Sequence, residues 1–298
     1  MLEWKKTTAV AGFELSEALR SRFVLLLSLL SGLGSFIASS IFLNLLSSAE
    51  ELATDTLANQ TNADTEALSA QLTQDNLMPW IASMISDPGT REQVASMDPL
   101  SVFFGFAALQ TVAGFVLLSS TATIPKDLVS GAARFTLLRC ERLSWVAGKA
   151  LGQTILLAGG LLLAAAAATA ASVWVDRTLD VDRVLWLFRM SFRAWLYGFA
   201  HLGLFMGLSM FTRAVMHARV LSFAALMLMS LAHAVLTSGV LNEKLPGIDT
   251  LAWVIPAHHQ GQLWSSSVLP YAMSVLTLLA IGLTALYAGY AAFQRRDA

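Results

Sequence analysis

Few side chains in this 298-residue chain could do chemistry, and they are scattered. His201 and His233 lie inside long apolar stretches, where an ionisable group marks a functional site by default. A neutral imidazole making one hydrogen bond at a helix contact accounts for both equally well, and is the preferred reading. His258 and His259 invite a metal, but adjacent histidines cannot share one helix face. No Cys, Asp or Glu lies within eight residues of them, and a metal site needs converging ligands, so they read as an ordinary loop. Met206 and Met210, one turn apart, and the nearby Met227 and Met229 could handle copper(I); methionine is more often an adaptable packing residue. The single cysteine, Cys140, excludes an internal disulfide framework and a cysteine-cluster metal site. Gly148-Lys149 is the one Gly-Lys pair, yet Ala150 follows it and Leu143 stands where a phosphate-binding loop needs its first glycine. No Gly-x-Ser-x-Gly elbow occurs. The chain is expected to have no catalytic residues, to hydrolyse no ATP by itself and to bind no cofactor, metal or nucleic acid.

The informative stretch is 124–151, IPKDLVSGAARFTLLRCERLSWVAGKAL. Leu128, Ala132, Phe135 and Leu138 recur at steps of four, three and three, one face of a helix. Lys126, Asp127, Arg134 and Arg139 supply its polar surface. Periodicity fits a helix that docks on a soluble partner and a loop lying among headgroups equally.

The elements that must position this stretch are membrane spans. Hydrophobic residues make up 56% of the chain, charged residues 13%, and the mean hydropathy is +0.62. About a quarter of an ordinary soluble chain is charged, so a soluble enzyme is disfavoured. Five uncharged runs exceed the roughly 20 residues that a spanning helix needs, and a sixth, 194–212, just reaches it. The reading is an all-α polytopic membrane protein with six spans near 24–46, 101–123, 149–174, 194–212, 218–240 and 271–293. The 45-residue run 250–294 is too long for one span and contains Pro256 and Pro270, so a loop or re-entrant segment precedes the last span. Residues 1–23 read as an amphipathic segment lying in the interface, with Leu15 and Leu19 one turn apart among Glu14, Glu17, Arg20 and Arg22. Residues 47–100 carry nine acidic residues against one basic and read as a small external insert. Residues 124–147 form the loop between spans two and three.

Thirteen of the nineteen Lys and Arg residues fall on the side of the termini, which the positive-inside rule makes cytoplasmic. One external loop disagrees: residues 176–193 carry four arginines, of which Arg189 and Arg193 share a helix face and could snorkel to headgroups. Tryptophans near the span ends form the usual aromatic belt. Gly159-Gly160 and the alanines at 164–168 allow a close helix contact, within this chain or between subunits. No acidic residue lies well inside a span and no inverted repeat is evident, against a proton-driven secondary transporter.

The stretch resembles the permease subunits of type-2 ABC (ATP-binding cassette) exporters. These carry an acidic residue, a glycine, a leucine run, a turn and a Gly-Lys pair opening span three; here stand Asp127, Ser130-Gly131, Leu137-Leu138, Arg142, Ser144 and Gly148-Lys149. Ala132 stands where the family often has threonine, and Cys140-Glu141 where it often has proline. The ending Phe293-Gln294-Arg295-Arg296-Asp297 and an N-terminal "elbow" helix match too. The resemblance implies a dimer with a second, identical or related, permease copy and two copies of a separate cytoplasmic ATPase, which binds ATP and Mg. Residues 126–139 would be the coupling helix. Arg134, Arg139, Glu141 and Arg142 would face the ATPase, with Asp127 and Gly131 shaping the start of the helix. Residues 47–100 would gate release or bind an external accessory protein. A competing class is a non-transporting membrane scaffold that docks another soluble protein.

Overall fold

The computed structural model describes residues 3–58, 94, 97–238, 247–265 and 267–296. Among these every regular element is helical: α1 (Trp4–Arg20), α2 (Arg22–Ala58), α3 (Pro99–Ser120), α4 (Thr123–Ser130), α5 (Ala132–Leu137), α6 (Arg142–Asp176), α7 (Val181–Ser209), α8 (Val215–Leu236) and α9 (Val268–Arg296). Three short 3-10 turns, Ile248–Val254, Pro256–His259 and Gln262–Trp264, lead into α9. Local chemistry sets several boundaries. Asp98 caps α3, its carboxylate accepting from the Ser101 N–H with Pro99 in the first turn. Asp180 caps α7 by accepting from the Asp182 and Arg183 N–H groups. Ser21, in extended conformation, turns the chain between α1 and α2.

Five helical stretches are long and apolar enough to cross a membrane: Val24–Ala49, Pro99–Ser130, Arg142–Asp176, Val215–Leu236 and Val268–Arg295. The protein is an all-α polytopic membrane protein. Helix α7 falls outside this set, and its second half is largely enclosed in protein. Leu187, Met190, Ala194, Ala200, Phe205 and Met206 are buried along its length, and α3, α6, α8 and α9 surround it. A helix wrapped in protein needs no lipid-facing apolar surface. By contrast, α2 and α8 leave runs of leucine exposed, such as Leu26, Leu29 and Leu33 or Leu228 and Leu231.

Helices α7 and α9 cross almost backbone to backbone. A Cβ added at Gly203 would lie 2.0 Å from the Gly282 carbonyl oxygen, and one at Gly207 2.4 Å from that of Ala285. Small residues at three- and four-residue spacing permit this approach. Part of the small-residue face of α6 is met from within the chain: Ser35 of α2 donates to the Ala164 carbonyl at 2.8 Å and Gly160 faces Phe115 of α3, while Gly159 stands open.

Several sequence expectations shift. Helix α7 starts at Val181, not near 194, because its Asp180 cap and the buried Leu187 and Met190 belong to the same helix. Helix α2 runs on past 46 to Ala58, so the insert expected at 47–100 begins as a continuation of the first long helix. Most of that insert, residues 59–93, lies outside the described residues.

Candidate functional site at the basic end

One end of the bundle gathers α1, α4, α5, the start of α6 and the ends of α7 and α9. The organising contact is α1 on α6. The face that α1 buries is Thr7, Ala11, Glu14 and Ala18, not the Leu15–Leu19 side; Trp4, Phe13 and Leu19 point outward. Two glycines of α6 explain this. A Cβ at Gly148 would come within 2.7 Å of the Thr7 carbonyl oxygen, and one at Gly152 within 2.9 Å of Glu14 Cβ. Close approach carries the Glu14 carboxylate to Lys149, one residue beyond Gly148. At the far end of α1 the Glu3 N–H donates to Ser144 Oγ at 3.0 Å.

Lys149 is the hub. Its side chain is 3% exposed, and Nζ lies 2.7 Å from Glu14 Oε2 and 2.9 Å from Asp127 Oδ2. Gln153, one turn along α6, donates to Glu14 Oε1 at 3.1 Å. Trp145 places its ring 5.6 Å from Nζ, a cation–π contact. Two carboxylates thus face one ammonium, and the Gln153 amide carries part of the excess acceptor capacity. A second pair, Lys126 with Glu17, ties α4 to α1 outside this core.

Gly131 corrects the expected single helix over 126–139. Its φ of 76° is left-handed, as glycine favours. It ends α4 and restarts the chain as α5, so the face expected to run from Leu128 to Leu138 is divided between two helices. The α4–α5 pair buries Ala133 and, just beyond, Cys140. It presents Val129, Phe135 and Leu138, which are 70%, 75% and 84% exposed. Arg139 and Glu141 are exposed beside them. Burial pushes the Cys140 thiol pKa up, Lys6 working against that and Glu3 adding to it.

Arg134 and Arg142 turn elsewhere. Together with Arg213, from the α7–α8 connection, they line a cleft of about 500 Å³ whose walls include Leu137, Met210 and Phe293. Arg142 Nη1 donates to the Gln294 carbonyl at 3.4 Å and its guanidinium sits 5.9 Å from the Phe293 ring centre.

No family model matches this chain, and neither does any curated protein.

Of the six residues singled out from sequence, Asp127 belongs to the Lys149 cluster and Gly131 makes the break. Arg139 and Glu141 stay on the outer surface, and Arg134 and Arg142 enter the cleft. Sequence reasoning missed Glu14, Gln153 and Arg213. The signal for the first two was there: Gly148 and Gly152 are four apart beside Lys149 and Gln153, one small and polar stripe on α6.

At the opposite end the four arginines of 176–193 have partners of their own. Arg183 bridges Asp98, at 3.0 Å, and Asp176. Arg177 stacks over Trp174 and Arg189 over Trp186. Arg193 does not snorkel: it is 7% exposed and lies 5.3 Å from the Tyr271 ring centre. Arg183 meets acids, whereas Arg177, Arg189 and Arg193 keep their charge against aromatic rings, two of them only three residues earlier in the chain. Nearby, His259 is buried with Nε2 2.8 Å from the Trp253 carbonyl and Nδ1 3.3 Å from Ser274 Oγ. His201 meets the Tyr197 carbonyl at 3.1 Å within its own helix.

Proposed function

We propose that this chain is the transmembrane permease subunit of an ATP-driven exporter of the type-2 ABC kind, working as a dimer on two copies of a separate cytoplasmic ATPase. In this reading the five apolar helices and α7 make six crossings, α1 is the elbow helix lying in the cytoplasmic interface, and both termini are cytoplasmic. The pair α4–α5 is the coupling element. ATP and Mg bind the partner ATPase, whose closure moves α4–α5. The external insert is the part available to an accessory protein. The membrane is the bacterial inner membrane by the same resemblance.

One observation carries the reading. Exposed apolar side chains, Val129 on α4 and Phe135 and Leu138 on and just after α5, are hung on a short helix pair between two long apolar helices, and the base of the pair is pinned to α6 and α1 through Asp127, Lys149 and Glu14. Force applied to these side chains reaches α6 through a buried ion cluster rather than through a loop. A groove of about 360 Å³ between α2, α3 and α6, with Ser31, Ser35 and Thr111 among apolar walls, offers an apolar cargo a surface at membrane depth.

The test is co-purification in mild detergent, with ATPase activity assayed in the eluate. Wild type should retain a P-loop ATPase, and Phe135→Glu/Leu138→Glu should lose it by about tenfold or more, as for central contacts of an interface. If wild type brings down no ATPase, the exporter reading falls and a scaffold that docks another soluble protein takes its place.

A further inference from the structure

Arg193 carries a charge that its surroundings leave unanswered. Arginine stays protonated in proteins, so burial cannot be relieved by losing a proton. Arg193 is 7% exposed, and its Nη1 is closed to solvent without a hydrogen-bond partner. Acids of this end are engaged elsewhere: Asp98 and Asp176 hold Arg183, and Asp180 caps α7. The other arginines of the segment differ, since Arg183 has its two acids while Arg177 and Arg189 are exposed to water. Snorkelling offers no escape, because Arg193 stands roughly 18 Å along α7 from Val181. The Tyr271 ring supplies a cation–π contact, but a ring face does not replace the anionic oxygens that a guanidinium fork pairs with. A buried charge without a counter-charge is strongly unfavourable, and at membrane depth such a group marks a ligand site by default.

The surroundings say what fits. Arg189, one turn before Arg193, is exposed and lies over the Trp186 ring at 4.9 Å, so the approach is positive. Tyr271 is half-buried and brings a phenol that can donate to the same anion. One buried cation balances one negative charge, so a monoanion fits and a dianion leaves charge over. Tyr271 lies in the first turn of the apolar helix α9, which puts the group at headgroup level of the leaflet opposite the basic end. Phe192 on α7 and Val268 and Leu269 on α9 are exposed there, an apolar border that a hydrocarbon body uses and a small soluble anion does not.

We infer that Arg193 and Tyr271, with Arg189 at the rim, bind the monoanionic headgroup, carboxylate or phosphodiester, of an amphiphile lying against the junction of α7 and α9. The bound headgroup supplies the counter-charge that Arg193 lacks. The inference stands apart from any ATPase.

Melting of the full chain in neutral detergent, after exchange that strips bound amphiphile, tests it. Without added anion, Arg193→Met should melt at or above wild type, because it strands no partner. If an acid of the chain itself pairs with Arg193, the substitution leaves that acid alone; a lower melting temperature, or no folded protein, therefore overturns the inference. Laurate, lauryl alcohol, dioleoylphosphatidylglycerol and formate are then added separately. Saturating laurate or phosphatidylglycerol should raise wild-type melting by about 5 °C, and the one that does so names the source of the headgroup. Arg193→Met should lose the rise. Tyr271→Phe should need about tenfold more ligand, the scale of one hydrogen bond to a charged group. Arg177→Gln removes a charge outside the site and should keep the rise. An equal rise from lauryl alcohol, a rise that survives in Arg193→Met, or no rise from any probe overturns the anion site. A rise from formate equal to that from laurate overturns the amphiphile.

Discussion

At the scale of single residues, the decisive side chain is Lys149, which one ammonium must share between two carboxylates in a buried place. Its attraction to either acid is strong because little water screens it, and the desolvation cost has already been met by all three groups. Lys149→Met leaves Glu14 and Asp127 facing each other without a counter-charge. The expected loss is about 3–5 kcal/mol, the cost of breaking a buried pair from one side. It should appear as a large drop in melting temperature in a fixed detergent, whereas Lys6→Met at the exposed Lys6–Glu3 pair should leave melting unchanged. Adding Glu14→Gln and Asp127→Asn to Lys149→Met should recover part of the loss, since the uncompensated charges are then gone. If Lys149→Met melts like wild type, the triad holds nothing together. Asp127 and the Gly148-Lys149 pair could be read as a motif from the sequence. Glu14 was harder to read, because its partner lies 135 positions away and only the Gly148 and Gly152 spacing on α6 marks the close approach that brings it in.

At the scale of elements, the joint between α7 and α9 is the most demanding contact in the bundle. Gly203 and Gly207 meet Gly282, Ala285 and Gly289 at distances that leave no room for a side chain. Gly203→Val must push two backbones apart, and overpacking of this kind costs about 1–3 kcal/mol or more. Gly159→Ala is the matched control: nothing lies within 4 Å of the added Cβ, and removing glycine from a helix interior is favourable by up to about 1 kcal/mol. Gly203→Val should therefore lower the melting temperature and the yield of folded protein while Gly159→Ala does not; equal behaviour would show that α7 and α9 are not in contact. The small residues of α6 were conspicuous in the sequence as a run, and the structure sets Ala164 against α2 and Gly160 against α3. The α7–α9 glycines were not conspicuous, because each helix carries only a few among large apolar residues and the pairing becomes visible only when the helices are set side by side. The Gly131 break was hidden for a similar reason: apolar spacing continues across it, while the backbone does not.

At the scale of the whole molecule, the apolar runs were legible because length and hydropathy are properties of the chain itself. The full extent of α7 was not, since Arg183, Arg189 and Arg193 are made tolerable by Asp98, Asp176, Trp186 and Tyr271, two of them about 80 positions away. Whether α7 crosses the bilayer separates a six-crossing molecule from a five-crossing one, and cysteine labelling decides it. The background is Cys140→Ser, in which a hydroxyl can keep the bond that the thiol donates to the Thr136 carbonyl. Leu138→Cys, Leu179→Cys and Phe211→Cys each place a thiol at an exposed position, before α6, between α6 and α7, and after α7. With six crossings, a membrane-impermeant maleimide applied from one side of sealed vesicles labels Leu138→Cys and Phe211→Cys together and leaves Leu179→Cys for the other side. If Phe211→Cys instead labels with Leu179→Cys, α7 does not cross. Arg213 would then be on the side away from Arg134, and the cleft, the joint with α9 and the proposed topology would fall together.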